Sequence, residues 1–359
     1  MTKTSTDQST FQNRRVTITD VARLAGVGTM TVSRALNRPE LVSETLRNKI
    51  LEVVESLGYI PNRVAGGLAS GTAKAICVIV PTLNHPVYVP FLEGLYSVLP
   101  NEGYQILLGT SDYQLEGEER VVSTFLGWQP DGMILAGVDH SPRTMQMLAQ
   151  ARTPLVEIMD LARTPIDMNV GFSHEKVGAA VGEFLIERKY KRIAYVGNRL
   201  ERDLRGRRRL KGFAQSLKRA GLAQPVVIDR DMPSSIHAGG MLLADLLEQH
   251  PKMQVAFFTN DDLAAGALFE CQRRGIRVPE DFAIVGFNDQ DIAAQVNPGL
   301  TSVSTPRLEM GRRAAEMLLA RLRNQPIKRA RVDVGFSIVE RGSTLKQVRI
   351  KQRSAKGKP

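Results

Sequence analysis

The stretch Val16–Asn37, VTITDVARLAGVGTMTVSRALN, holds two short apolar-periodic runs separated by Ala25-Gly26-Val27-Gly28. Thr17 stands three positions before Asp20, the spacing of a capping box that satisfies orphan amides of a first helical turn. Ile18, Val21, Ala22, Leu24 and Ala25 then fall on one helical face. Gly26 predicts the stop, because glycine takes the left-handed conformation that a tight helix end needs. A second helix is predicted from Gly28–Thr29, with Val32, Ala35 and Leu36 turned inward. A third follows Ser43 as N-cap, carries Leu46, Ile50, Val53, Val54 and Leu57, and ends at Gly58. Helices this short are marginal alone. They are expected to share one core of Val21, Leu24, Val27, Val32, Leu36, Leu46, Ile50 and Val54.

Two short helices crossed over a tight turn make a helix-turn-helix, whose second helix enters the major groove of DNA. The outward residues of that helix are Thr29, Met30, Thr31, Ser33 and Arg34, with no acid among them. Arginine can grip guanine bidentately, and threonine and methionine methyls can meet thymine methyls. Thr17, Thr19, Ser33 and Asn37 are short polar groups suited to phosphate contacts. A generic three-helix cap would have no need of an acid-free outer face.

The chain has 359 residues, enough for two or three folding units, and its 43% hydrophobic share supports a large core. Met1–Arg15 is polar and lacks the apolar stretch of a secretory signal, and no run approaches a membrane span. A cytoplasmic protein with no membrane partner is expected. Cys77 and Cys271 sit in separate apolar segments and read as buried small hydrophobes. The net charge of +11 points to a polyanionic partner. That charge is concentrated in Leu200–Arg219 and in Arg341–Pro359; the latter is expected to be a disordered tail from 343 that adds non-specific DNA affinity. No Walker A, GxGxxG, HExxH or GxSxG motif occurs, and the five histidines lack metal spacing. No catalysis, cofactor or metal is expected. The Asp261-Asp262 pair suits solvation or capping better than acid–base work.

Residues 61–74 form a joint. Gly58, Pro61, Gly66, Gly67 and Gly71 mark a connector, yet Asn62 can cap a turn of helix bearing Val64, Ala65, Leu68 and Ala69. Two glycines and a costly nucleus predict that this helix forms only when something holds it.

From Ala75 onward apolar strands alternate with helical stretches. Strands are predicted at Ile76–Val80, Gln105–Gly109, Gly132–Ala136, Leu155–Ile158, Arg192–Val196, Val226–Ile228, Val255–Phe258 and Phe282–Gly286. This pattern implies an α/β fold of doubly wound parallel sheets, in two lobes, behind a small all-α headpiece at 16–60. The chain is expected to cross between lobes near Val170–Ser173 and to return at Thr301–Thr305. Lobe 1 is then 75–172 with 303–332, and lobe 2 is 173–302 with 333–342. Ligands of such sheets lie beyond the carboxyl ends of the strands. Amides, carboxylates and arginines gather there around aromatic residues, a set that suits a polyhydroxylated small molecule.

The opening stretch resembles the DNA-binding headpiece of the LacI/GalR family of bacterial transcription regulators, with Gly28 where that family usually has serine. YIPNRVAGGLASG resembles its hinge helix. IVPTLNHPVY, RRRLKGF, FFTNDDLAAGAL and FAIVGFNDQDIA resemble its effector-binding core, which is similar to periplasmic sugar-binding proteins. The resemblance places Thr29, Met30 and Arg34 at base-reading positions. It also implies that Asn62, Arg63, Ala65 and Leu68 act in the minor groove, beside their twins in a homodimer. The effector residues it implies are Asp160, Arg207, Arg209, Asn260 and Asn288, to which the positions beyond the strand ends add Asn84 and Phe287. Family members often carry aspartate where Asn288 stands. A neutral Asn288 and a basic wall of Arg199, Arg202, Arg205, Arg207, Arg208 and Arg209 favour an anionic effector, although most of these arginines are expected to solvate a helix face. MTVSRALNRPE, FTNDDLAAGALFECQRRGIRVPED and STPRLEMG are similar to the gluconate-utilisation repressors of the family. The expectation is a repressor of operator DNA induced by a small sugar acid such as gluconate. Its rivals are a corepressor role for that effector, a solute-binding protein and a sugar-acid enzyme on the same core.

Overall fold

The protein is described by a computed structural model covering residues 14–61, 72–83 and 86–345. It divides into two compact units, residues 1–74 and 75–359.

In the first unit, α1 (Ile18–Ala25), α2 (Thr29–Asn37) and α3 (Glu44–Leu57) surround a core of Val21, Ala22, Ala25, Val32, Ala35 and Ile50. Asp20 anchors the start of α1: its carboxylate accepts the Thr17 backbone amide at 2.9 Å and the Thr17 hydroxyl at 2.7 Å. Arg14 adds a two-pronged pair to the same carboxylate, at 2.9 and 2.7 Å. Hydrogen bonds from Arg14 and Thr17 hold this carboxyl well below its ordinary range. Gly26 closes α1 at φ 71° and Gly58 closes α3 at φ 60°. Leu24 departs from expectation. It is 37% exposed, because the inward stripe of α1 runs through Val21, Ala22 and Ala25 and leaves Leu24 on its flank.

The second unit holds two six-stranded sheets. The first contains β1 (Ala75–Val80), β2 (Gln105–Thr110), β3 (Gly132–Ala136), β4 (Leu155–Ile158), β5 (Met168–Gly171) and β11 (Arg331–Asp333), in the order β11-β5-β4-β3-β1-β2. The second contains β6 (Ile193–Asn198), β7 (Val226–Arg230), β8 (Val255–Phe258), β9 (Ala283–Asn288), β10 (Thr301–Ser304) and β12 (Ser337–Val339), in the order β12-β10-β9-β8-β6-β7. All pairings are parallel except β10 with β12. The connecting helices are α4 (Val89–Tyr96), α5 (Leu115–Gly127), α6 (Pro142–Ala151), α7 (His174–Glu187), α8 (Leu204–Arg219), α9 (Ile236–Gln249), α10 (Asp261–Arg273), α11 (Asp291–Gln295) and α12 (Arg307–Leu322). Strands buried on both faces read as continuous apolar runs, as AICVIV and VAFF do.

The chain passes between the lobes three times: after β5, after β10 and between β11 and β12. The whole of Thr301–Ser304 belongs to the second sheet, so the expected return at 303 cuts a strand. α12 then packs against α4 and the first sheet. The chain end also differs from expectation. Ser343 and Thr344 are buried; the Ser343 hydroxyl donates to the Ile284 carbonyl at 2.6 Å and accepts the Thr301 amide at 2.8 Å. The lobe therefore extends to 345, and the rest of the expected basic tail lies outside the described residues.

α7 and α8 meet backbone to backbone. A Cβ on Gly178 would lie 1.8 Å from the Arg209 carbonyl oxygen, and one on Gly212 would lie 1.9 Å from that of Glu175. This close approach fixes the helix that carries Arg205, Arg208 and Arg209.

Candidate functional site

The outer face of the headpiece is built by α2 and the start of α1. Thr17, Thr19, Thr29, Arg34 and Asn37 are exposed, and Met30 is 65% exposed. Thr31 and Ser33 are half-buried, and the Asn37 amide donates to the Ser33 carbonyl at 3.1 Å. The eight headpiece residues singled out from sequence thus lie on or beside one helix-turn-helix. Asn62, Arg63, Ala65 and Leu68 lie outside the described residues.

A cleft of about 370 Å³ opens between the lobes of the second unit. It lies beyond the carboxyl ends of β1, β2, β4, β6, β8 and β9, next to β1 and β6, where the strand orders reverse. Several non-glycine residues around it hold left-handed backbone: Asp112 at φ 53°, Tyr113 at 56°, Met159 at 68°, Arg199 at 53° and Asn288 at 108°. Strain of this kind persists only where the surroundings impose it, and it gathers at ligand sites.

Arg209, Asn260, Phe287 and Asn288, expected from sequence, all line the cleft. Arg209 is 4% exposed, with its guanidinium carbon 4.1 Å from the Phe287 ring centre. It donates to His174 Nδ1 at 2.9 Å and to the Thr259 carbonyl at 3.2 Å. His174 Nε2 lies 2.8 Å from the Met159 carbonyl. A guanidinium can only donate and a carbonyl can only accept, so His174 must be the neutral tautomer with its proton on Nε2. Burial and the Arg209 charge keep its pKa well below the ordinary value. The Asn260 Oδ1 caps α10 by accepting the Leu263 amide at 3.0 Å and also takes the Ser234 hydroxyl at 3.1 Å. That fixes the amide with its nitrogen available to a ligand.

Two expected residues fall elsewhere. Arg207 is exposed and does not line the cleft, because two residues' rotation on α8, about 200°, puts it on the opposite side of the helix from Arg209. Asp160 is 3% exposed and does not line the cleft either. Arg208 reaches from α8 to hold it at 2.5 Å, and also holds Asp139 at 2.5 and 2.7 Å. Burial still raises the Asp160 carboxyl above its ordinary value. Asn84 lies outside the described residues. Of the six arginines in the basic wall, Arg199, Arg202, Arg205 and Arg209 line the cleft, Arg208 is held by Asp139 and Asp160, and Arg207 is exposed away from it, so most of them do not merely solvate a helix face.

Sequence reasoning missed Asp112, Tyr113, Asp203 and Thr305 in the lining. Each lies just past a strand or a helix start, and no motif marks it. Asp261, for which solvation or capping was expected, is fully buried, so solvation does not hold for it. Its carboxylate accepts the Ser302 hydroxyl at 2.6 Å and the Gln290 amide at 2.8 Å, beneath the turn that presents Asn288. Cys77 and Cys271 are buried, and burial pushes both thiols up to about 12.

Residues 17–62 match the model of bacterial regulatory proteins of the lacI family, and residues 183–344 match that of a periplasmic binding protein-like domain. The HTH-type transcriptional regulator GntR of Escherichia coli is 40% identical over 333 residues, which cover 93% of this chain and 100% of that protein. GntR of Pseudomonas aeruginosa is 38% identical over 345 residues, covering 96% and 100%. Among solved structures, a LacI-family regulator from Silicibacter pomeroyi matches with a TM-score of 0.87 at 33% identity, covering 92% of this chain and 100% of that one. The lac repressor dimer bound to operator and the anti-inducer ONPF matches with a TM-score of 0.78 at 26% identity, covering 93% and 100%. With a helix-turn-helix in its first unit and a two-lobed cleft in its second, this chain belongs to the LacI family of DNA-binding transcriptional regulators.

Proposed function

We propose that the protein is a repressor that binds a two-fold operator as a homodimer in the cytoplasm and releases it when a small sugar acid such as gluconate enters the cleft. The observation that carries this reading is the cleft itself, where four guanidiniums face amide and aromatic side chains. Arg209, Asn260 and Asn288 offer fixed hydrogen-bonding groups to hydroxyls, and Phe287 offers an apolar wall to carbon. Replacing the family's frequent aspartate by Asn288 removes a negative charge that would repel a carboxylate. The likeness to the gluconate-utilisation repressors supports the same ligand class. Dimerisation is supported by the α4–α12 pair, whose Val89, Tyr96 and Leu308 are each more than half exposed.

In this mechanism Thr29, Met30 and Arg34 read bases, while Thr17, Thr19, Thr31, Ser33 and Asn37 position the headpiece on phosphates. Asn62, Arg63, Ala65 and Leu68 pair with their twins in the minor groove, where Leu68 wedges a base step. Effector binding moves the lobes and separates the paired hinges. Coupling of this kind is typically about 1–3 kcal/mol and is reciprocal. The test is an operator gel shift with and without gluconate. Release by gluconate is expected. Tighter binding would make the effector a corepressor, and indifference to every sugar acid would refute the reading.

A further inference from the structure

The four cleft arginines differ in how far the protein itself satisfies them. Arg199 lies 2.9 Å from Asp231 and Arg202 lies 3.5 Å from the same carboxylate. Arg209 stands 3.6 Å from Asp203 and spends donors on His174 and Thr259. Arg208, beside the cleft, is bound by Asp139 and Asp160. Arg205 is the exception. Among the described residues it makes no ion pair, and its hydrogen bond goes to a neutral acceptor, the Tyr88 hydroxyl, at 3.2 Å. The Tyr113 ring centre lies 6.0 Å from its guanidinium carbon. Arg205 is half-buried and belongs to the first turn of α8, where the helix dipole also favours an anion.

Asp203 and Asp160 act on Arg205 only through space, and a half-buried guanidinium with no carboxylate in contact is one that a ligand can satisfy. Tyr88 accepts from Arg205, so its own proton is free to be donated onward. Burial holds the Tyr113 phenol well above its ordinary value, which keeps it an O–H donor. Tyr113 hydrogen-bonds to Tyr88, so the one phenol proton left over in that pair, from the first lobe, and Arg205, from the second, converge as donors on one end of the cleft. The hydroxyl-binding groups Asn260 and Asn288 come from the carboxyl ends of β8 and β9.

We propose that Arg205, assisted by Tyr88 and Tyr113, is the carboxylate-reading residue of the cleft, and that it separates sugar acids from neutral sugars and polyols. This rests on the proposed effector class but not on gluconate in particular. Because the donors come from both lobes, a bound carboxylate also ties the lobes together.

The experiment is calorimetric titration of the full-length protein with gluconate, galactonate, glucuronate and the neutral polyol sorbitol. It uses the wild type, Arg205→Gln and Arg205→Lys, with thermal unfolding as a check on folding. Removing a charge-assisted hydrogen bond predicts a loss of about 10–100-fold in acid affinity for Arg205→Gln. Arg205→Lys should recover part of it, and sorbitol should bind the wild type more weakly than the acids do. If gluconate is silent while another acid binds through Arg205, the gluconate reading fails and this one stands. Arg205 is overturned as the reader if no acid binds the wild type, if sorbitol binds as tightly as the acids, or if folded Arg205→Gln or Arg205→Lys keeps full acid affinity while the other variant does not fold.

Discussion

Arg208 Nη1 lies 2.5 Å from Asp160 Oδ2, and this pair joins the helix α8 of one lobe to the strand end of the other. Asp160 is almost wholly buried, whereas the Arg208 side chain is 32% exposed. Arg208→Met leaves Asp160 buried with the Leu161 amide, at 2.7 Å, as its remaining hydrogen-bond partner and with no counter-charge in contact. A loss of about 1–3 kcal/mol is expected, below the range for a fully buried pair because solvent reaches the arginine. Adding Asp160→Asn should return part of that loss, as read from a double-mutant cycle in urea. Strictly additive effects of the two substitutions would show that the pair does not act as a unit. In small-angle scattering, ligand-free Arg208→Met should be wider than the wild type, since a clasp between the lobes is gone.

On the headpiece, Arg34→Ala should weaken specific operator binding by about 1–3 kcal/mol and relax the preference at one base pair. Asn37→Ala, a phosphate-side change, should lower affinity similarly on all sequences. Fluorescence anisotropy on the operator and on single-base variants of it distinguishes the two patterns. An Arg34→Ala loss that is uniform across sequences would remove arginine from the base-reading set.

Burial pushes the Asp261 carboxyl up to about 7, against opposing hydrogen bonds from Ser302 and the Gln290 amide and with Asp289 and Arg307 nearby. The unfolded group has its ordinary value of 3.8. Between these values the folded protein holds a proton that the unfolded chain has released. Stability from this group is therefore full below about 4, falls as pH rises toward about 7, and is level above that. Asp261→Asn should flatten this part of the curve. Urea midpoints from pH 4.5 to 8, wild type against variant, give the difference directly, and parallel curves would count against the assignment.

Gly178→Ala places a methyl group 1.8 Å from the Arg209 carbonyl oxygen, a backbone atom that cannot swing aside. The helices must separate, which typically costs about 1–3 kcal/mol. Because α8 carries Arg205 and Arg209, effector affinity should fall together with the melting temperature. Gly127→Ala, whose added atom meets nothing within 4 Å, is the control and should leave both unchanged.

The headpiece was legible almost entirely, because short helices announce themselves through caps and glycine stops. Thr17, Gly26, Ser43 and Gly58 each act locally, within a few residues. Apolar runs likewise revealed the central strands. Arg331–Asp333 and Ser337–Val339 were not foreseen. They are three-residue edge strands, set by pairing with distant β5 and β10 rather than by any pattern of their own. In the cleft, Arg209, Asn260 and Asn288 could be found because they follow strands or sit in a motif. Asp160 misled because position beyond a strand says nothing about which partner claims the side chain. Arg208 claims it, from 48 residues away in sequence. Asp261 misled for the opposite reason: its neighbour Asp262 suggested a wet pair, whereas Ser302 and Gln290 enclose it.

The lobes are joined by three crossings, and the Val334 amide donates to the Gly171 carbonyl at 2.9 Å where two of them leave the first sheet. A door hung on three leaves can swing or twist, but it cannot slide. The lobes are left with a swing and a twist and no slide, so ligands of different shape should differ in how far along these two motions they hold the protein.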